Sequence, residues 1–238
     1  MTDWLGRRKH ARYPIVVPIL YGFECADPVM ASAGWTRDLS EGGTCLELPE
    51  RLEVSVPIRL FLRTDLAGIA AQGQVIWAEG PLKTGGILHG LAFTRMASAQ
   101  DHGIREFLLR RRMVWRAVVR IRLELPVIYQ LKGQPRSLHQ GRTENVSRRG
   151  LLLRLPLVYS PGTSLEVTLH TSHGHLTAEG TIARVEPLDA QTPGELVRHG
   201  FHFTDISHAT QITLGRVLAE APPGAPRGSP GEADTRAR

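Results

Sequence analysis

Two short turns carry the residues best suited to holding a ligand: "DLSEGG", Asp38 to Gly43, and "NVSRRG", Asn145 to Gly150, which lie 107 positions apart. Both follow one template: an Asp or Asn, any residue, Ser, two more residues, then Gly. An Asx oxygen can accept from the N1–H and N2–H donors of guanine, a Ser hydroxyl can donate or accept beside it, and Gly admits close approach or unusual backbone geometry. Some 25 to 30 residues ahead of each turn stand two arginines four apart, Arg8 and Arg12, then Arg116 and Arg120. A guanidinium can fork onto guanine O6 and N7, stack on a base, or clamp a phosphate. Arginine pair and turn together describe a cradle for a phosphate-bearing, guanine-containing ligand, once in each half of the chain.

The elements that must position these residues repeat as well. In the first half "YPIVVPILYG" reads as a β-branched strand and "GWTRDLSEGGTCLELP" as strand, turn, strand. "VPIRLFLRT" alternates apolar and polar residues, as a half-buried strand does, and "AQGQVIWAEG" and "GILHGLAFT" supply two more. "SAQDHGIREFLLRRR" then places Ile104, Phe107 and Leu108 at helical spacing. The second half runs through "IRLELPVIYQLKG", "GRTENVSRRGLLLRLP", "TSLEVTLHT", "AEGTIARVEP" and "RHGFHFTD" in the same order, with "HATQITLGRVLAE" in the helix position. "HGLAFT" aligns with "HGFHFT", setting His89 on His199 at an offset of 110. A near-constant offset across the chain is an internal duplication, and many short strands with turn signals argue for two small β-barrels in tandem. Residues 221–238, rich in Pro, Gly and charge, read as a disordered tail.

The bulk numbers fit. The chain has 238 residues, 42% of them hydrophobic, a formal charge of +6 and a pI near 9.9. Its 29 basic residues are all arginine except Lys9, Lys83 and Lys132, a bias that suits phosphate and guanine edges and that a GC-rich genome also produces. Cys25 and Cys45 form neither a metal pair nor a disulfide framework, which points to a reducing cytosol. The opening apolar stretch is short and broken by Pro14 and Pro18, unlike a signal peptide, and no run reaches the roughly 20 apolar residues of a membrane span.

The order R-x-x-x-R, strand, D/N-x-S-x-x-G, strand resembles the PilZ domain, the bacterial receptor module for cyclic di-GMP. The resemblance occurs twice and covers nearly everything but the tail. It implies a mainly β fold: two tandem six-stranded antiparallel barrels, residues 1–110 and 111–220, the first closed by a C-terminal helix. It implies ligand contact through Arg7, Arg8, Arg12, Asp38, Ser40 and Gly43 in the first copy and Arg116, Arg120, Asn145, Ser147 and Gly150 in the second, without catalysis or a metal cofactor. Before the arginine pair the first copy has Arg7 and the second Trp115. Family members with the extra arginine tend to capture an intercalated ligand dimer, so the resemblance implies two ligands in the first domain and one in the second. With no output domain in the chain, the response goes to a separate, unidentified protein partner in motility, polysaccharide export or regulation.

Other readings compete. Arg110 to Arg112 suit a solvated helix C-terminus. His170, His173 and His175 have ligand chemistry for zinc or nickel, but Ser172 and Gly174 among them make a hairpin tip the simpler reading. His89 and His199 read as barrel packing. No nucleophile elbow or other catalytic pattern is present, so an enzyme is disfavoured. Small basic barrels also bind polynucleotides, but with stacking aromatics on one sheet face; here the aromatics fall mostly at core strand positions.

Overall fold

A computed structural model describes residues 9–23, 32–83, 85–112, 117–134, 137–186 and 196–222. The first repeat forms β1 (Pro18–Phe23), β2 (Ser32–Ser40), β3 (Gly43–Leu48), β4 (Pro57–Arg63), β5 (Gly68–Glu79), β6 (Ile87–Arg95) and α1 (Ser98–Arg112). The second forms β7 (Ile121–Arg122), β8 (Pro126–Leu131), β9 (His139–Ser147), β10 (Gly150–Leu155), β11 (Ser164–Thr171), β12 (Gly174–Val185), β13 (Val197–Asp205) and α2 (His208–Glu220). The fold is mainly β, with two closed six-stranded antiparallel barrels, as the duplicated pattern predicts, and two helices: the expectation gave a closing helix to the first barrel only, and α2 is the addition, capped by Ser207 accepting from Thr210 N. Residues 223–238 of the expected tail lie outside the described residues.

The first ring runs β1-β2-β3-β6-β5-β4. The second runs β10-β13-β12-β11-β8-β9 and closes through β9–β10, with the two-residue β7 added on β9. Alternating apolar residues supply the interiors: Ile58, Leu60 and Leu62 of β4 are fully buried, as are Leu165, Val167 and Leu169 of β11. The duplication extends to irregularities. A bulge lies between Val75 and Trp77 of β5, and its counterpart between Ile182 and Arg184 of β12. Each bulge inserts a residue that re-aims its neighbours.

His89 and His199 are wholly buried. Leu52 N donates to His89 Nε2 at 2.9 Å, and Tyr159 N donates to His199 Nε2 at 3.1 Å. Each Nδ1 sits within 3.2 Å of a carbonyl two residues earlier, so each ring staples a loop to its barrel as the neutral Nδ1–H tautomer. Burial holds both rings below the usual imidazole pKa, consistent with the packing role.

The two barrels are joined by more than their connector. Every residue of β3 is buried, although alternate residues of a barrel strand face outward. On β3 the second repeat covers Glu47 through Arg148, at 2.6 Å, and beside it α2 packs on β12 of its own barrel and also across β1, β2 and β4 of the first. Trp35 Nε1 donates to Gln211 O at 3.0 Å, and a Cβ on Gly215 would lie 3.1 Å from that indole nitrogen and 3.3 Å from Gly34 O. Glycine inside the helix therefore lets α2 approach the sheet closely, and burial of the indole contributes on the order of 4 kcal/mol. The arginine-bearing segments also pair with each other. Val16 N donates to Ala117 O at 2.7 Å and Val119 N to Val16 O at 3.0 Å, a parallel bridge between the chain entering β1 and the chain leaving α1.

α1 lies along β5 with Ile104, Phe107 and Leu108 buried. Arg110 pairs with Glu106 at 2.6 Å on the exposed face. Arg111 departs from the solvated-end reading: it is only 10% exposed, ion-paired with Asp65 at 2.8 Å and set over Phe107. Among the described residues no helix is long and apolar enough to cross a membrane.

Candidate functional site

Each barrel carries one cleft at the equivalent place, formed where the D/N-x-S-x-x-G turn meets the bulged strand. The first has a volume of about 210 Å³ and is lined by residues including His10, Arg12, Ser40, Gly43, Trp77 and Gly90. The second, about 200 Å³, is lined by residues including Arg120, Asn145, Ser147, Gly150, Arg184 and Gly200.

The turns are built alike. Ser40 Oγ donates to Gly43 O at 2.9 Å, and Ser147 Oγ donates to Gly150 O at the same distance. Each serine thus commits its proton to the turn, leaving its oxygen as an acceptor. The glycines are required by close approach: a Cβ on Gly43 would lie 2.2 Å from Leu91 O, and one on Gly150 would lie 2.1 Å from Phe201 O. Asp38 accepts from Cys45 N through Oδ1 at 3.1 Å, while its Oδ2 stands 3.8 Å from Arg12 Nη1. Arginine and carboxylate from opposite ends of the motif therefore face each other. In the second cleft, Asn145 pairs in register with Arg122 on β7, two residues beyond Arg120. The expected site residues Arg12, Asp38, Ser40 and Gly43 come together in the first repeat, and Arg120, Asn145, Ser147 and Gly150 in the second. Arg7, Arg8, Trp115 and Arg116 lie outside the described residues.

The floor of each cleft escaped sequence reading. Trp77 sits so closely on Gly90 that a Cβ there would be 2.0 Å from the indole Nε1. Gly200 has Arg184 in the same place, its Cγ 2.9 Å from a Cβ position. Register makes the two equivalent: Trp77 pairs with Gly90, and Arg184 with Gly200. One cleft thus offers an aromatic plane and the other a guanidinium, which Glu186 accepts from at 3.0 Å. The clue was the glycine in the middle of "HGLAF" and "HGFHF", since glycine inside a strand marks a bulge or a close approach. His10, Arg149 and His202 were also missed: His10 lies between Arg8 and Arg12 and Arg149 inside the second turn, but they hold the unspecified positions of those motifs, where sequence does not record which way a side chain faces.

The remaining candidates do other work. His170 and His175 face each other across the β11–β12 hairpin with ring centroids 4.2 Å apart, and His173 Nε2 lies 2.6 Å from Glu220 Oε2. No group of three or more His, Cys, Asp or Glu with metal-binding geometry occurs among the described residues. Burial pushes the Cys45 thiol up to about 11, keeping it protonated at neutral pH.

The PilZ domain family model matches residues 6–110 and again residues 111–220. No curated protein sequence matches the chain. Among solved structures, the Bacillus subtilis inhibitor of motility MotI/DgrA is 13% identical with a TM-score of 0.37, covering 86% of this chain and 94% of its own. YcgR from Escherichia coli in complex with c-di-GMP is 12% identical, TM-score 0.36, covering 85% and 82%. The Borreliella burgdorferi PlzA protein in complex with c-di-GMP is 12% identical, TM-score 0.35, covering 84% and 86%.

Proposed function

Because this chain belongs to the PilZ domain family, we propose that it is a non-enzymatic, cytoplasmic receptor for cyclic di-GMP that passes its response to a separate protein partner. The observation that carries the reading is the recurrence of one cleft, built from Arg12, Asp38 and Ser40 in one barrel and from Arg120, Asn145 and Ser147 in the other. In each, a guanidinium serves a phosphate or a base, the Asx oxygen serves the Watson–Crick edge of guanine, and the serine oxygen accepts from the ligand. The aromatic plane of Trp77 adds a stacking surface in the first cleft.

The switch is an ordering of the arginine segments. They are hydrogen-bonded to one another through Val16, Ala117 and Val119, so fixing one restrains the other and the barrel it leads into. A ligand that binds one arrangement better shifts the population toward it. Titration calorimetry of the full chain tests this reading, with cyclic di-GMP expected to bind and cyclic di-AMP and GTP to bind far more weakly. Unchanged binding by an Arg12→Ala, Arg120→Ala double variant overturns it. Steeply salt-dependent binding of single-stranded polynucleotides with no preference for cyclic di-GMP would point to a nucleic-acid binder instead.

A further inference from the structure

We infer that the second repeat carries a phosphate subsite that the first lacks, formed by Arg149 and His202 on the wall between its cleft and an adjoining hollow. This rests on the reading of that cleft as a nucleotide site and specifies where an additional phosphate group is held. The hollow has a volume of about 360 Å³, larger than the cleft, and Arg149 and His202 line both. Arg149 is exposed, and among the described residues its side chain makes no ion pair or hydrogen bond; its backbone is fixed because Phe203 N donates to Arg149 O at 3.0 Å. His202 is brought beside the turn by its register pairing with Gly150.

The neighbouring arginine cannot serve the ligand. Arg148 is 11% exposed and bound to Glu47 at 2.6 Å, so it forms a fixed wall. Asp205 also lines the hollow but not the cleft and disfavours an anion near it, whereas Arg149 and His202 line both, which makes their side the place for a phosphate. The turn of the first repeat supplies no arginine at this place; His10 packs over Gly42 instead, its Cδ2 2.8 Å from a Cβ position. Its equivalents by register are Gly42 and Ala92, and the adjacent Glu41 is engaged with Arg105 at 3.4 Å. A planar guanidinium with no partner among the described residues, lining two adjoining hollows, suits the two oxygens of a phosphomonoester or phosphodiester. Because the site is open to water, the contact weakens with salt.

The test uses the full chain carrying Arg12→Ala, which silences the first cleft, titrated with cyclic di-GMP and separately with inorganic pyrophosphate at low salt. Adding Arg149→Gln is expected to weaken cyclic di-GMP binding by about ten-fold or more and to remove pyrophosphate binding. Arg149→Lys, which keeps the charge but loses the fork, should fall between. Unchanged affinity for both probes in Arg149→Gln, with cyclic di-GMP binding still lost in Asn145→Ala, overturns the subsite. Arg149-dependent pyrophosphate binding without any cyclic di-GMP binding would retain the subsite and reject the receptor reading. Binding of neither probe rejects both.

Discussion

Arg148 of the second repeat donates from Nη2 to Oε1 of Glu47 in the first at 2.6 Å, with its guanidinium 5.4 Å from the Trp35 ring centroid. Glu47 is 1% exposed and also accepts from Arg37 Nη1 at 3.1 Å. Arg148 belongs to the second D/N-x-S-x-x-G turn, between Ser147 and Arg149. Glu47 lies on β3 two residues from Cys45, whose N–H holds Asp38 of the first cleft. The inter-repeat ion pair therefore ties the turn of one cleft to the strand that supports the other.

Removing one partner of such a buried pair leaves a charge unsatisfied. Arg148→Ala is expected to destabilise the chain by about 3 kcal/mol, somewhat relieved by Arg37. Arg148→Met combined with Glu47→Leu removes both charges and should recover most of that loss. Urea denaturation of the single and double variants checks it.

Asp38 has two tasks, and substitution separates them. Asp38→Ala loses the contact with ligand and the acceptor for Cys45 N, so binding at the first cleft should weaken by about 1.5–3 kcal/mol with some loss of stability. Asp38→Asn, which installs the residue type of the second repeat, keeps the acceptor for Cys45 N and should leave stability near wild type. Calorimetric titration with cyclic di-GMP alongside thermal unfolding resolves the two effects.

Trp77 makes the clefts unequal. Loss of one stacking plane is worth about 1–3 kcal/mol, so Trp77→Ala should weaken the first cleft and leave the second unchanged. In the wild-type chain, ligand stacking should quench indole fluorescence, and the quench should disappear in Trp77→Phe. Calorimetry and fluorescence on the same samples test both points.

The buried histidines set a pH dependence. Their pKa values are lowered in the folded chain relative to the usual 6.5, so on acidification the unfolded chain takes up protons first. Stability should be intact above about pH 6.5 and fall below it, by up to about 1.4 kcal/mol per pH unit for each ring until the folded-state pKa is reached. Denaturant titrations at pH 7.5 and 5.5 measure the loss, and His199→Gln should halve its steepness in that range.

Much of this protein was legible without coordinates. Strand alternation, turn residues and a constant offset depend on local backbone chemistry and on burial of one face, which a sequence records directly; they indicated two barrels and placed Arg12 with Asp38, and Arg120 with Asn145. The tertiary structure alone decided which residues from distant strands share a cleft floor. Trp77 and Arg184 are aimed there by bulges, and a bulge is a property of paired strands. It also decided that α2 crosses to the first barrel, that Arg148 turns toward Glu47 while Arg149 lines the cleft, and that the two arginine segments bond to each other. Those outcomes follow from how two folded surfaces fit, through contacts between residues as far apart as Trp35 and Gln211, and no local pattern encodes such a fit.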